Sequence, residues 1–127
     1  MEREYSQGLR ITFLVHSIMM AGFACIYIFI PVLWGDLTGC LSNLVPQVFR
    51  LLGTAVFGYA FSSFLAYRSS KWEKVKITAE LNCLVSILFS VVIILGILFW
   101  DLPSIAWMYL AVMYCFAMAF SYFYFKK

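Results

Sequence analysis

The chain has 127 residues, of which 65% are hydrophobic and 12% charged, with a formal net charge of +3. A soluble domain of this size would have almost nothing polar with which to cover its surface, so the composition excludes an ordinary water-soluble enzyme or nucleic-acid-binding domain and points to a lipid bilayer as the missing cover. Four apolar stretches, at roughly 11–33, 48–67, 77–100 and 105–125, are each about 20 residues or more, enough to cross a hydrocarbon core about 30 Å thick.

The first stretch is longer than the apolar core of a secretory leader, follows the mixed charges Glu2, Arg3, Glu4 and Arg10, and runs on to Pro31 without an obvious cleavage site. It reads as a retained first span. His16 lies inside it, about a turn and a half from its start. Ser17, Ala21 and Cys25 form a stripe of small residues at four-residue spacing.

After Trp34 the chain leaves the first span. Asp36 is a plausible N-cap, and Leu37, Leu41, Leu44 and Val48 follow at helical spacing. This pattern predicts a short helix lying on the outer surface, broken by Pro46 before the second span. Arg50 then sits a few residues into span 2, where Asp101 and Asp36 are the anions within reach on that side. A guanidinium partly in lipid needs a partner, so an outer ion pair of Arg50 with Asp101 or Asp36 is expected, against snorkelling to lipid phosphate.

Span 2 carries Thr54, Gly58, Ser62 and Ala66, again at four-residue spacing, and span 4 carries Ala111, Cys115 and Ala119. Without a hydrophobic drive between helices in lipid, association rests on close backbone approach and hydrogen bonds. We therefore expect Gly58, Ser62, Ala66, Ala111, Cys115 and Ala119 to be helix-packing positions. The turn between spans 2 and 3 holds Arg68, Lys71, Lys74 and Lys76 around Trp72, a pattern suited to anionic lipid headgroups.

Span 3 differs in having a polar stripe, Thr78, Asn82, Ser86 and Ser90, with Glu80 close by. His16, Glu80, Asn82, Ser86 and Ser90 together form a candidate intramembrane polar site. A contact between His16 and Glu80 would make a proton or cation site. The plainer reading has the stripe bonding to neighbouring helices, His16 to a nearby hydroxyl, and Glu80 to Lys76 or Arg10. Trp34, Trp100 and Trp107 are expected at the outer headgroup level, with Trp72, Tyr122 and Tyr124 at the inner one.

The cations Arg3, Arg10, Arg68, Lys71, Lys74, Lys76, Lys126 and Lys127 all fall on one side of this topology. The positive-inside rule then places both termini in the cytoplasm. The expected fold is an all-α integral membrane protein, a single domain of four transmembrane helices in an antiparallel bundle, with a short outer interfacial helix after the first span. The expected setting is the plasma membrane of a prokaryote.

Catalytic, cofactor and metal signatures are absent from the sequence. Cys25, Cys40, Cys83 and Cys115 form no CxxC pair, and there is no phosphate loop, HExxH or GxSxG. No cofactor and no nucleic-acid partner are therefore expected.

A first span, a proline-bearing outer segment, Arg50-Leu51-Leu52-Gly53 opening span 2, Gly58 within it, a basic turn starting at Arg68 and Trp107 opening span 4 together resemble the DoxX-like group of small four-helix membrane proteins. The resemblance covers most of the chain on short motifs, and Cys40 departs from it. It implies a small bundle that often works with a partner, in a group that includes subunits of quinone-linked oxidoreductases. The expected function is that of an interaction protein, either an accessory subunit of a membrane complex or a homo-oligomer, whose partners are lipids and other transmembrane subunits. A small transporter or channel using the span 3 track, and a lipid- or quinone-binding bundle, are the alternatives.

Overall fold

The computed structural model describes residues 5–39 and 46–126, all of whose regular structure is helical. The helices are α1 (Gln7–Phe29), α2 (Pro31–Thr38), α3 (Pro46–Arg68), α4 (Trp72–Phe99) and α5 (Ile105–Phe125). Four of them, α1, α3, α4 and α5, are long and apolar enough to cross a membrane, so this is a multi-pass membrane protein. Glu2, Arg3, Glu4, Cys40, Leu41, Leu44 and Lys127 lie outside the described residues.

Local chemistry sets the helix ends. Ser6 caps α1, its hydroxyl accepting from the Leu9 amide at 3.3 Å. The helix stops at Ile30 because Pro31 disfavours helical backbone in the residue before it, and Pro31 itself then opens α2. Gly39, at φ 72°, closes α2 in the left-handed conformation that glycine adopts without a Cβ clash. Span 1 is thus divided, and the short helix begins at Pro31 instead of being capped by Asp36, which falls in its last turn. Pro46 is the first residue of α3, where its missing amide hydrogen costs no bond, and the stretch through Leu41 and Leu44, whose spacing predicts a helix before it, lies outside the described residues.

The basic turn is also shorter than the sequence suggested. Only residues 69–71 connect α3 to α4, and Trp72, Lys74 and Lys76 belong to the first turns of α4. Trp72 is buried against the Tyr124 ring, their centroids 5.4 Å apart.

Helix α1 lies along α3 and α4 along α5, while the two pairs touch each other less. The α1–α3 seam is the tightest. A Cβ added to Gly53 would stand 2.8 Å from Ile28 Cγ1 and 3.2 Å from the Ala24 carbonyl oxygen, so glycine is what permits the approach. On α3, Phe49, Gly53, Ala60 and Ser63 are buried, as are Leu9, Phe13, His16, Met20, Ala24 and Tyr27 on α1. The α1 set runs in steps of three or four, and so does the α3 set once the half-buried Val56 is counted between Gly53 and Ala60, the spacing that keeps one face of a helix on its neighbour.

The four-residue stripes behave differently. Ala66 is buried, Ser62 is half-buried and Gly58 is exposed, with nothing within 4 Å of the place a Cβ would take. Ala111 and Cys115 are exposed and Ala119 half-buried. A step of four residues turns about 40° past a full helical turn, so such a row drifts around its helix: the rows of α3 and α5 reach the surface, while Asn82, Ser86 and Ser90 on α4 start far enough inside to stay buried. The small-residue rows of α3 and α5 are therefore not the seams that hold this bundle together.

Where one end of the bundle closes, Tyr5 donates its hydroxyl to the Ala66 carbonyl at 2.7 Å, and Arg10 Nε donates to the Tyr67 carbonyl at 3.2 Å. These are carbonyls of the last turn of α3, where the helical ladder runs out, and a cation there also meets the negative end of the helix dipole.

Candidate functional site

The looser packing between the two helix pairs leaves a cavity of about 280 Å³. All four long helices line it: Met20 and Phe23 from α1, Val56 from α3, Phe89 and Ile93 from α4, Met113 from α5. Leu102 and Pro103 of the α4–α5 connection close one end. Its walls carry no Asp, Glu, Lys or Arg. Leu52 and Ala55 of α3 and Phe89 of α4 line the cavity and are also exposed on the outside of the bundle. The α3–α4 side, where the two helices touch little, carries further exposed apolar side chains such as Leu51, Leu88 and Val92.

Two polar clusters bound this apolar space. At one end the Tyr27 hydroxyl and the Trp34 indole N–H both donate to the Tyr109 hydroxyl, each at 2.9 Å, tying α1 and α2 to α5. At the other end stands His16, which is 2% exposed. Its ring is held edge-on by Phe116 at 4.7 Å and Phe120 at 5.4 Å between centroids. Its Nδ1 is 2.8 Å from Ser63 Oγ, and Asn82 Nδ2 donates to the same oxygen at 2.8 Å. Three helices thus meet through one hydroxyl. Asn82 Oδ1 is left buried without a partner among the described residues. Ser17, one position along α1, donates to the Ala60 carbonyl at 2.8 Å and strengthens the α1–α3 seam.

The candidate polar site is therefore partly assembled and partly dispersed. His16 and Asn82 come together through Ser63, and Ser86 lines the cavity beside them. Ser90 is buried but turns its hydroxyl to the Ser86 carbonyl at 2.8 Å, the local back-bond open to serine in a helix. Glu80 is not part of the cluster. It is exposed and accepts the Tyr124 hydroxyl, so it meets neither His16 nor the Arg10 and Lys76 partners considered from sequence. The reason is angular: Glu80 and Asn82 are two residues apart on α4 and so about 200° apart around it.

The other sequence candidates are placed as follows. Arg50 donates to Gln47 Oε1 at 3.3 Å on its own helix and pairs with neither Asp101 nor Asp36 among the described residues. Asp101 occupies the turn between α4 and α5 at φ 45°, while Asp36 is exposed in the last turn of α2. Arg68, Lys71 and Lys74 are exposed and Lys76 half-exposed, with the Arg68 guanidinium 5.9 Å from the Phe64 ring centroid. Cys83 shares a hydrogen bond with Ser121 at 3.1 Å, and no group of three His, Cys, Asp or Glu side chains converges among the described residues.

Ser63, Tyr27, Trp34 and Tyr109 were missed from sequence. For Ser63 a signal existed: it continues the series Phe49, Gly53, Val56, Ala60 at alternating steps of four and three, whereas the four-residue rule selected Ser62 instead. Nothing in the one-dimensional pattern joins Tyr27 to Tyr109.

Fold and site together define a multi-pass, all-helical membrane protein with an apolar cavity among its four long helices and a buried histidine in the cavity wall. No protein-family model, curated protein or solved structure matches the chain.

Proposed function

We propose that this protein binds a small lipophilic molecule, taken from the bilayer through the gap between α3 and α4. The observation that carries this reading is the lining of the cavity: an apolar space of about 280 Å³ with a few fixed polar groups, whose α3 and α4 wall residues Leu52, Ala55 and Phe89 keep exposed surface. That combination suits a ligand soluble in hydrocarbon, and the volume, just below the usual 300–1,000 Å³ range of ligand sites, suits one ring or a short segment of chain. A conducting path is less well supported, because Phe116 and Phe120 pack against His16 and fill the axis on its other side.

The reading is completed by an antiparallel arrangement of the four spans in a plasma membrane, both termini and the Arg68–Lys76 cations lying on the cytoplasmic side. A second reading, that the chain works as a homo-oligomer or as an accessory subunit, is favoured by the outward-facing Gly58, Ala111 and Cys115, small residues of the kind that let another helix approach closely in lipid. It is compatible with ligand binding because it uses other surfaces, and it agrees with what a DoxX-like resemblance implies.

Native mass spectrometry of the protein released gently from its membrane tests both. Retention of a lipophilic adduct that is lost in Ala106→Phe and Val56→Phe, which fill the cavity from opposite walls, is the expected result. Equal adducts in all three proteins, or none in any, would refute the cavity as a binding site. The particle mass reports the subunit composition in the same experiment.

A further inference from the structure

We propose that the cavity selects uncharged lipophiles bearing a carbonyl or hydroxyl oxygen, and that the His16–Ser63–Asn82 relay lets one site bind either group. This rests on the ligand-binding reading above and adds the chemistry of the head group.

Two polar side chains at the His16 end of the cavity are incompletely used. His16 bonds only through Nδ1, and its Nε2 has no partner among the described residues. Ser86, 2% exposed and also in the cavity wall, makes no side-chain hydrogen bond among those residues. Polar groups left unpaired at such depth are costly, and an oxygen on a bound ligand would relieve both. The oxygen must be neutral. With no charged residue in the wall, a carboxylate or phosphate would lose its hydration with no countercharge opposite it.

The relay has two complete arrangements. In the first, Asn82 Nδ2 donates to Ser63, Ser63 donates to His16 Nδ1, and the imidazole proton sits on Nε2, where it can be given to a ligand carbonyl. In the second, the Asn82 amide is turned over, Ser63 donates to Oδ1, His16 Nδ1–H donates to Ser63, and Nε2 offers its lone pair to a ligand hydroxyl. The heavy-atom positions of His16 and Ser63 suit both, since Ser63 Oγ is 2.8 Å from each neighbour and a hydroxyl both donates and accepts. Neither arrangement satisfies the whole amide: the first leaves Oδ1 bare, and the second leaves the amino group bare. Because each leaves one half of the same amide unpaired, neither is strongly preferred, and the ligand decides. Both keep the imidazole neutral.

The chain contains a single histidine, so nitrogen NMR of ¹⁵N-histidine-labelled protein in lipid nanodiscs reads this one ring. The probes are a matched series, 4-propylacetophenone, 1-(4-propylphenyl)ethanol and 4-propylbenzoate, with binding measured separately by saturation transfer against empty nanodiscs. The ketone and the alcohol are expected to bind within about three-fold of each other and the carboxylate at least about ten-fold more weakly. The ketone, which can only accept, should hold the imidazole proton on Nε2, whereas the alcohol, which can donate or accept, should release it into a mixture of both tautomers. In Ser63→Ala the proton position should no longer follow the ligand, and both affinities should fall about five-fold. Binding of ketone and alcohol with an unchanged tautomer would overturn the relay while leaving the ligand-binding reading intact. Equal binding of the carboxylate would overturn the neutral-head assignment. Failure of all three probes to bind would sink the inference together with the reading on which it rests.

Discussion

Ser63 Oγ lies 2.8 Å from His16 Nδ1, joining residues 47 positions apart in the chain, and the same oxygen takes the Asn82 amide. One fully buried hydroxyl therefore links α1, α3 and α4. Ser63→Ala would strand both partners. Interhelical bonds in membranes average about 0.6 kcal/mol, but a stranded buried group costs about 1–3 kcal/mol, so we expect a loss of about 1–2 kcal/mol. Unfolding in mixed detergent micelles measures it. Because Asn82→Leu removes one of the stranded groups, the double variant should lose less than the two single losses added.

Gly53 and Gly58 make a controlled pair on one helix. Gly53→Ala would set a Cβ 3.2 Å from the backbone oxygen of Ala24 and closer still to Ile28, forcing α1 and α3 apart at a cost of about 1–3 kcal/mol. Gly58→Ala meets nothing and should be neutral or stabilising by up to about 1 kcal/mol through helix propensity. Thermal unfolding of the two proteins should show a lowered midpoint for Gly53→Ala and an unchanged or raised one for Gly58→Ala. A large loss from Gly58→Ala would instead reveal a partner helix on that face.

Tyr5 gives a pH dependence outside the membrane-spanning helices. Burial pushes its hydroxyl above the ordinary value of 10.0, against the opposing pull of Arg10. The folded state thus favours the neutral phenol that donates to Ala66. Its contribution is complete below the unfolded pKa and is lost as pH rises through the raised one. The stability difference between the native chain and Tyr5→Phe should accordingly hold steady up to about pH 10 and close above it. A difference that grows with alkalinity would contradict this assignment.

Arg50→Gln should change stability by no more than about 0.5 kcal/mol, since the guanidinium bonds only to Gln47 one turn away on its own helix. A loss of about 3 kcal/mol in the same unfolding assay would instead indicate the ion pair with Asp101 or Asp36 that the charges suggested.

Much of this protein follows from its sequence alone. Four apolar runs too long to be anything but spans, prolines that interrupt helices and a serine that caps one act through the local backbone or through hydrocarbon thickness, and both are functions of position along the chain. The burial of Asn82, Ser86 and Ser90 was also legible, because polar residues in a membrane helix turn away from lipid. What the sequence could not determine was which helix each face would meet. Small residues every four positions looked like seams, yet Gly58 and Cys115 face outward while Asn82, Ser86 and Ser90 at the same spacing face inward, because tertiary packing sets how each helix is rotated. His16 could have met Glu80 at similar depth. The rotation of α4 against α1 and α3 brought it Ser63 and Asn82 instead, and the slack between the two helix pairs opened the cavity beside it. Depth is set by hydrophobic length, which the sequence carries, but azimuth and spacing are set by mutual packing, which exists only once the helices are assembled.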